Sequence, residues 1–164
     1  MFTAMRRIPS AIQREIKQTR PFPSERQEAA VALMRTADTL RHTLSQFLEP
    51  MGITAQQYNV LRILRGSEPH GLSRNELRDR MLTRMPDVTR LLDRMEEAGL
   101  VERVRGEEDR RLVTTQITKS ALELLAKLDP VVAADQKRRF RGASEKDLRS
   151  LISLLATLRD SRSD

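Results

Sequence analysis

Residues 72–117 read LSRNELRDRMLTRMPDVTRLLDRMEEAGLVERVRGEEDRRLVTTQI, and the apolar spacing within this stretch changes partway. In its first half, apolar side chains recur every three or four residues. Leu77 and Met81 form a short run, and Val88, Leu91, Leu92 and Met95 form a second. Such spacing is the mark of two amphipathic helices in succession. Ser73, with Glu76 three places on, is a capping box that opens the first. A tight turn at Leu82-Thr83-Arg84 separates it from the second, predicted from about Met85 to Ala98. Pro86 is placed in the first turn of that helix, where backbone donors are free, and Gly99 is its stop signal. From Leu100 the period shortens. Leu100–Val104 and Leu112–Ile117 read as strands joined by the polar tip RGEEDRR. Short helix, turn, amphipathic helix and hairpin, in that order, make a winged helix-turn-helix.

The charges fall where such a unit meets nucleic acid. Burying Val88, Leu91, Leu92 and Met95 turns Asp87, Thr89, Arg90 and Arg94 outward, with Arg84 and Met85 at the leading end. An α-helix fits the major groove of B-DNA, so this face can meet base edges and phosphates. Ser73 and Arg74 can hold a backbone phosphate through side chains and free N–H groups. Arg110 and Arg111 at the hairpin tip can enter the minor groove, whose negative potential attracts arginine. Each of these charges taken singly is more commonly a solvated surface group. Together they favour double-stranded DNA. The alternative is a winged helix serving as a protein-interaction or structural module without specific DNA readout; so many arginines at its centre argue against a protein-docking face.

Outward from this lobe, residues 54–118, the chain is helical. Residues 25–53 and 119–164 are read as a helical dimerisation region. Ser24 and Gln27 open a helix of about 24 residues with Ala30, Leu33, Ala37, Leu40, Leu44 and Phe47 along one stripe. One small lobe struggles to cover such a helix, so part of the stripe is expected to meet a second copy. Thr54 and Gln57 open the next helix, with Val60, Leu61 and Leu64 inward. Thr118 caps a helix carrying Leu122, Leu125, Leu128 and Val132, which Pro130 should kink. A last helix opens at Ser144 and carries Leu148, Leu151, Leu155 and Leu158. Residues 1–24 are a basic extension, either a short helix around Ile12 and Ile16 or a disordered tail. The fold class expected is mainly α with a small β-wing.

Composition removes other classes. The 164 residues include 30 Lys plus Arg against 23 Asp plus Glu, a net charge of +7, which suits a polyanion partner. Cysteine is absent and there are two histidines, His42 and His70, so thiol chemistry and a His- or Cys-built metal centre are not expected. No metal or cofactor is assigned. No apolar run approaches the ~18 residues of a membrane span, and the start MFTAMRRIPS has no apolar run behind it. The expected location is cytoplasmic. Asp38, His42 and Ser45 share a helical face, yet no nucleophile elbow accompanies them, so an enzyme is not expected. The run Lys137–Arg141 is read as a solvated helix end favoured by the helix dipole.

Several segments closely match a known family. ITAQQYNVLRIL, LSRNELRDRM, DVTRLLDRMEEAGLVER, the wing EEDRR, ITKSALELL and ASEKDLRSLISLLATL resemble the multiple antibiotic resistance regulator (MarR) family over roughly residues 25–160. The resemblance implies a homodimeric transcription factor whose first and last helices form the dimer, and a ligand-relieved repressor acting on a pseudo-palindromic operator. Its Asp-x-Arg wing motif matches Asp109-Arg110-Arg111, which gives Arg111 the minor-groove role. A family aspartate that braces this arginine falls at Asp93. The family also implies a small-molecule effector pocket between dimer helices and lobe, for which His42, Tyr58 and Arg62 are the polar candidates. Ala121 departs from the glycine frequent in the family.

Overall fold

The computed structural model describes residues 9–105 and 113–160. The chain begins with an arm. Ser10 and Gln13 form a reciprocal capping box that opens α1, Ala11–Glu15. Lys17, at φ 54°, closes it, with Lys17 N–H donating to the Arg14 carbonyl and Gln18 N–H to that of Gln13. This is the left-handed helix end usually given to glycine. The arm packs on the long helix α2, Glu25–Leu48. Ile12 and Phe22 are buried there, and Glu15 pairs with Arg35 at 2.8 Å. A docked helix is therefore what residues 11–15 form. At the start of α2 only the serine half of the expected box is present: Ser24 accepts from the Gln27 N–H.

A single 3₁₀ turn, Glu49–Met51, and Gly52 at φ 71° reverse the chain into α3, Ala55–Arg65. The Thr54–Gln57 box is complete, as is the Ser73–Glu76 box that opens α4, Arg74–Arg80. The next helix, α5, runs Val88–Glu97, three residues shorter at its start than expected. Asp87 is the reason. Its carboxylate accepts the Arg90 N–H at 2.9 Å and so acts as the N-cap. Pro86 consequently stands before the cap rather than inside the first turn. Met85, expected at the leading end of the helix, is half-buried against the core. Gly99, at φ 67°, ends α5 as expected, with Leu100 N–H donating to the Met95 carbonyl.

Strands β1, Val101–Arg105, and β2, Val113–Ile117, pair antiparallel from Val101↔Ile117 to Arg105↔Val113. Leu72 adds a further rung through paired bonds with Thr115, which ties the loop before α4 to the wing. Gly71 permits this approach: it sits at φ 67°, and a Cβ there would lie 2.6 Å from the Thr115 carbonyl oxygen. The chain then enters α6, Lys119–Arg139, capped by Thr118 and containing Pro130, and the last described element is α7, Glu145–Asp160.

One core joins these parts. Val60, Leu61 and Leu64 of α3 meet Leu77, Leu92, Met95, Val101 and Ile117. Leu48 of α2 and Ala121, Leu125, Leu128 and Val132 of α6 belong to the same cluster. The first half of α6 is therefore part of the lobe's packing as well as a link beyond it. Each fully buried leucine contributes roughly 1.5–3 kcal/mol. Outside this cluster the apolar stripes are open. Leu33 and Leu40 of α2 are 41% and 38% exposed, and α7 buries none of its residues.

Candidate nucleic-acid interface

The amphipathicity of α5 builds the site. Val88, Leu92 and Met95 are buried, with Leu91 half-buried beside them. Helical geometry then sends Thr89, Arg90 and Arg94 to the opposite side, where all three are exposed. Among the described residues the side chains of Arg84, Arg90 and Arg94 have no hydrogen-bond or ion-pair partner. Arg90 and Arg94, one turn apart on the exposed side of α5, form an anion-attracting face, and Arg84 is exposed in the turn before that helix.

The helix before it is aligned with that face. The Arg74 guanidinium donates to the Thr89 hydroxyl at 3.3 Å, joining the start of α4 to the first turn of α5. Arg74, Arg78, Pro86, Asp87 and Thr89 line a cleft of about 240 Å³ between the two helices. Ser73 behaves differently from Arg74. Its hydroxyl and its N–H both donate to the Glu76 carboxylate, at 2.7 and 2.9 Å. Those bonds hold Glu76 below the usual carboxylate range, the hydroxyl contributing most. Arg74 thus bridges α4 and α5, whereas Ser73 is engaged in its cap. The turn between the helices is fixed by Asn59 of α3, which accepts the Leu82 N–H at 2.9 Å. Leu82 itself is 87% exposed.

Asp93, expected to brace the wing arginine, is held by Arg103 of β1 at 2.5 Å, and Arg103 also pairs with Glu96 at 3.1 Å. This clamp fixes the end of α5 to the root of the hairpin. Arg110 and Arg111 lie outside the described residues. Arg103 and Asn59 are the residues that sequence reasoning missed. A signal for Arg103 existed: two carboxylates three places apart on α5, followed by a glycine turn that folds the next strand back toward them.

The ligand candidates separate. Tyr58 is buried in the core, and its hydroxyl accepts from Arg62 at 2.9 Å while the guanidinium lies 5.7 Å from the ring centre. His42 is exposed on α2, and its Nε2 hydrogen-bonds with Gln46 at 3.3 Å. Next to Tyr58, Arg65 holds Asp129 through two bonds of 2.6 and 3.2 Å, linking α3 to α6. The pairing moves Asp129 below, and Arg65 above, its ordinary value. At the far end of α6, Arg139 pairs with Asp135 and donates to Thr43 of α2, so this part of the basic run is packed rather than solvated.

The geometry matches known proteins. A MarR transcription factor from Planctomyces limnophilus is 36% identical, with the likeness covering 84% of this chain and 99% of that one at a TM-score of 0.62. The chain belongs to the MarR family. The MarR family profile itself matches residues 51–112, which includes α3, α4, α5 and β1. The HTH-type transcriptional regulator PapX of Escherichia coli is 30% identical over 95 residues, 58% of this chain and 58% of its own length. The match thus spans little more than half of that curated relative. The S. aureus MepR–DNA complex shares the MarR fold at 20% identity, with a TM-score of 0.75 over 85% of this chain and 100% of that one. Among the described residues no helix is long and apolar enough to cross a membrane, and no group of three or more carboxylate or histidine side chains could hold a metal ion.

Proposed function

We propose that this MarR-family protein is a homodimeric regulator that binds double-stranded DNA at a pseudo-palindromic operator and represses until a small ligand lowers its affinity. The observation that carries the reading is the unpaired Arg90 and Arg94 on the exposed side of α5, with unpaired Arg84 in the turn before it, opposite a side that packs into the core. Thr89 and Arg74 extend that face. Asp87 supports it by capping, and the Arg103 clamp on Asp93 and Glu96 positions the wing that carries Arg110 and Arg111. The dimer is supported by the exposed stripes of α2 and α7. MepR, which shares the fold, is bound to DNA in its structure. The effector is the part supported by family membership alone, with the junction around Tyr58 and Arg62 as its assigned place.

The test is an anisotropy titration on operator DNA over salt. If ~6–10 phosphates are contacted, affinity falls by roughly 10³–10⁵ between 50 and 200 mM salt. Half-sites should lie one helical turn, about 10 bp, apart or a multiple of it. Arg90→Ala and Arg94→Ala should each weaken operator binding by about 1–3 kcal/mol. Affinity that ignores salt would overturn the reading.

A further inference from the structure

The helix that leaves the lobe has one weakly tied turn. Pro130 of α6 has no N–H to give the Ala126 carbonyl, so the backbone bond across residues 126–130 is missing. A helix bends more readily where a rung is absent. Before this turn α6 is locked into the lobe, with Ala121, Leu125 and Leu128 buried in the shared core, and Val132 is the last core residue along it. Beyond it Val131 is exposed, and Arg139 donates to Thr43 of α2. Asp129 stands inside the turn. Its carboxylate accepts two bonds, of 2.6 and 3.2 Å, from the guanidinium of Arg65 at the end of α3. Two bonds from a planar guanidinium fix direction as well as distance. Arg62, the other arginine nearby, gives its guanidinium to the Tyr58 hydroxyl. Among the described residues, Arg65 with Asp129 is the one ion pair between the lobe, residues 54–118, and the helices on either side of it.

In a dimer the two α5 helices are connected through the helices outside the lobes, so the angle at this turn of α6 sets their separation. We propose that Arg65 and Asp129 are positioning residues that hold each lobe at the angle fitting two half-sites at one fixed spacing. The inference rests on the DNA-binding reading above. Without the clamp a lobe samples further angles, and a lobe that is at the fitting angle for only part of the time binds more weakly in proportion. The same freedom lets it follow half-sites set closer together or wider apart. The clamp therefore raises affinity at one spacing and removes tolerance for others. It acts through the direction of the lobe, not through contact with DNA.

The test takes the duplex that the full chain selects from a random-sequence pool and moves its two half-sites by one and two base pairs in each direction. The unsubstituted protein should discriminate sharply among these spacings. Asp129→Ala and Arg65→Ala should each weaken binding at the selected spacing by about three- to fivefold per lobe, roughly 10- to 25-fold for the dimer. At the shifted spacings they should lose little or nothing. The double variant should behave as either single variant does. Binding to a duplex with one half-site should be unchanged, and melting should fall by no more than about 4 °C. A uniform loss across every spacing and the single half-site would make the pair a fold contact only and overturn the proposal, as would a spacing profile that neither change flattens. Failure of the unsubstituted protein to select any duplex with two half-sites would instead defeat the DNA-binding reading, and the clamp with it.

Discussion

Two helices of this chain carry apolar stripes at helical spacing, and they end in opposite circumstances. In α5, Val88, Leu92 and Met95 are buried in the core that α3, the wing and α6 share. In α7, Leu151, Ile152, Leu154 and Leu158 are 43–65% exposed. Periodicity selects a face for each helix; it does not say which molecule supplies the partner. For α5 the partner lies within the same chain, so its polar side is left to face a ligand. For α7 no covering element is found among the described residues, and an uncovered stripe of that size is expected to be met by a second copy.

The comparison breaks most sharply with charge placed on each stripe. Leu151→Glu with Leu154→Glu should cost at least the ~2–5 kcal/mol of a buried leucine truncation in dimer free energy. Sedimentation should then show the single-chain mass while the far-ultraviolet spectrum keeps its helical content. Leu92→Ala acts on the closed side, where the residue is 2% exposed. It should lower unfolding free energy by about 2–5 kcal/mol in urea titration. If the α7 change lowers lobe stability as much as the α5 change does, the two stripes are not distinct in kind.

Smaller effects sharpen the same contrast. Gly71→Ala forces a side chain into a left-handed position, worth roughly 1–2 kcal/mol, and against the Thr115 carbonyl 2.6 Å away. Thermal melting should fall, because the rung from Leu72 to the wing is lost. Arg103→Ala should change stability by only ~0–1 kcal/mol, since the pair it makes is partly exposed. Its larger effect should appear in operator affinity, because Asp93 and Glu96 would no longer hold the wing to α5. Additivity of Arg103→Ala with Asp93→Ala in both readouts would deny the clamp.

The smallest effect is acid sensitivity at the α3–α6 link. Asp129 titrates lower in the folded chain because Arg65 donates to it. Its contribution is therefore complete above the ordinary carboxylate range and is lost as pH falls through the lowered folded value. Both partners are about one-third exposed or more, so ~0–1 kcal/mol is at stake. Melting curves of Asp129→Asn and the unsubstituted protein should differ at neutral pH and converge in acid.

Much of the local structure was legible in the residues. Ser73 with Glu76 and Thr54 with Gln57 form the expected boxes, and Gly99 stops α5. The start of α5 was not legible, because Asp87 and Pro86 compete for the same role. Proline tolerates the first turn, yet an aspartate one place later can cap, and the cap sets the boundary. Of the candidate interface, the outward set Thr89, Arg90 and Arg94 follows from helical period alone. The engagement of Ser73 by Glu76 follows from the same box that revealed the helix, and removes its hydroxyl from easy use by a phosphate. The resemblance to MarR proteins offered Asp93 the wing-tip arginine as partner; among the described residues the partner is Arg103.

The sequence by itself determined the order of elements, the capping boxes of α3 and α4, the buried face of α5 and its basic side. These depend on residues within one or two turns of each other, where spacing and side-chain chemistry act directly. Only the tertiary structure decided that Arg103 clamps α5, that Arg65 meets Asp129 sixty-four positions away, that the first half of α6 closes the lobe core, and that the arm packs on α2. Those depend on where distant elements come together. Long arginine side chains can reach several carboxylates equally well in sequence, and packing of the core fixes which one lies within hydrogen-bond distance.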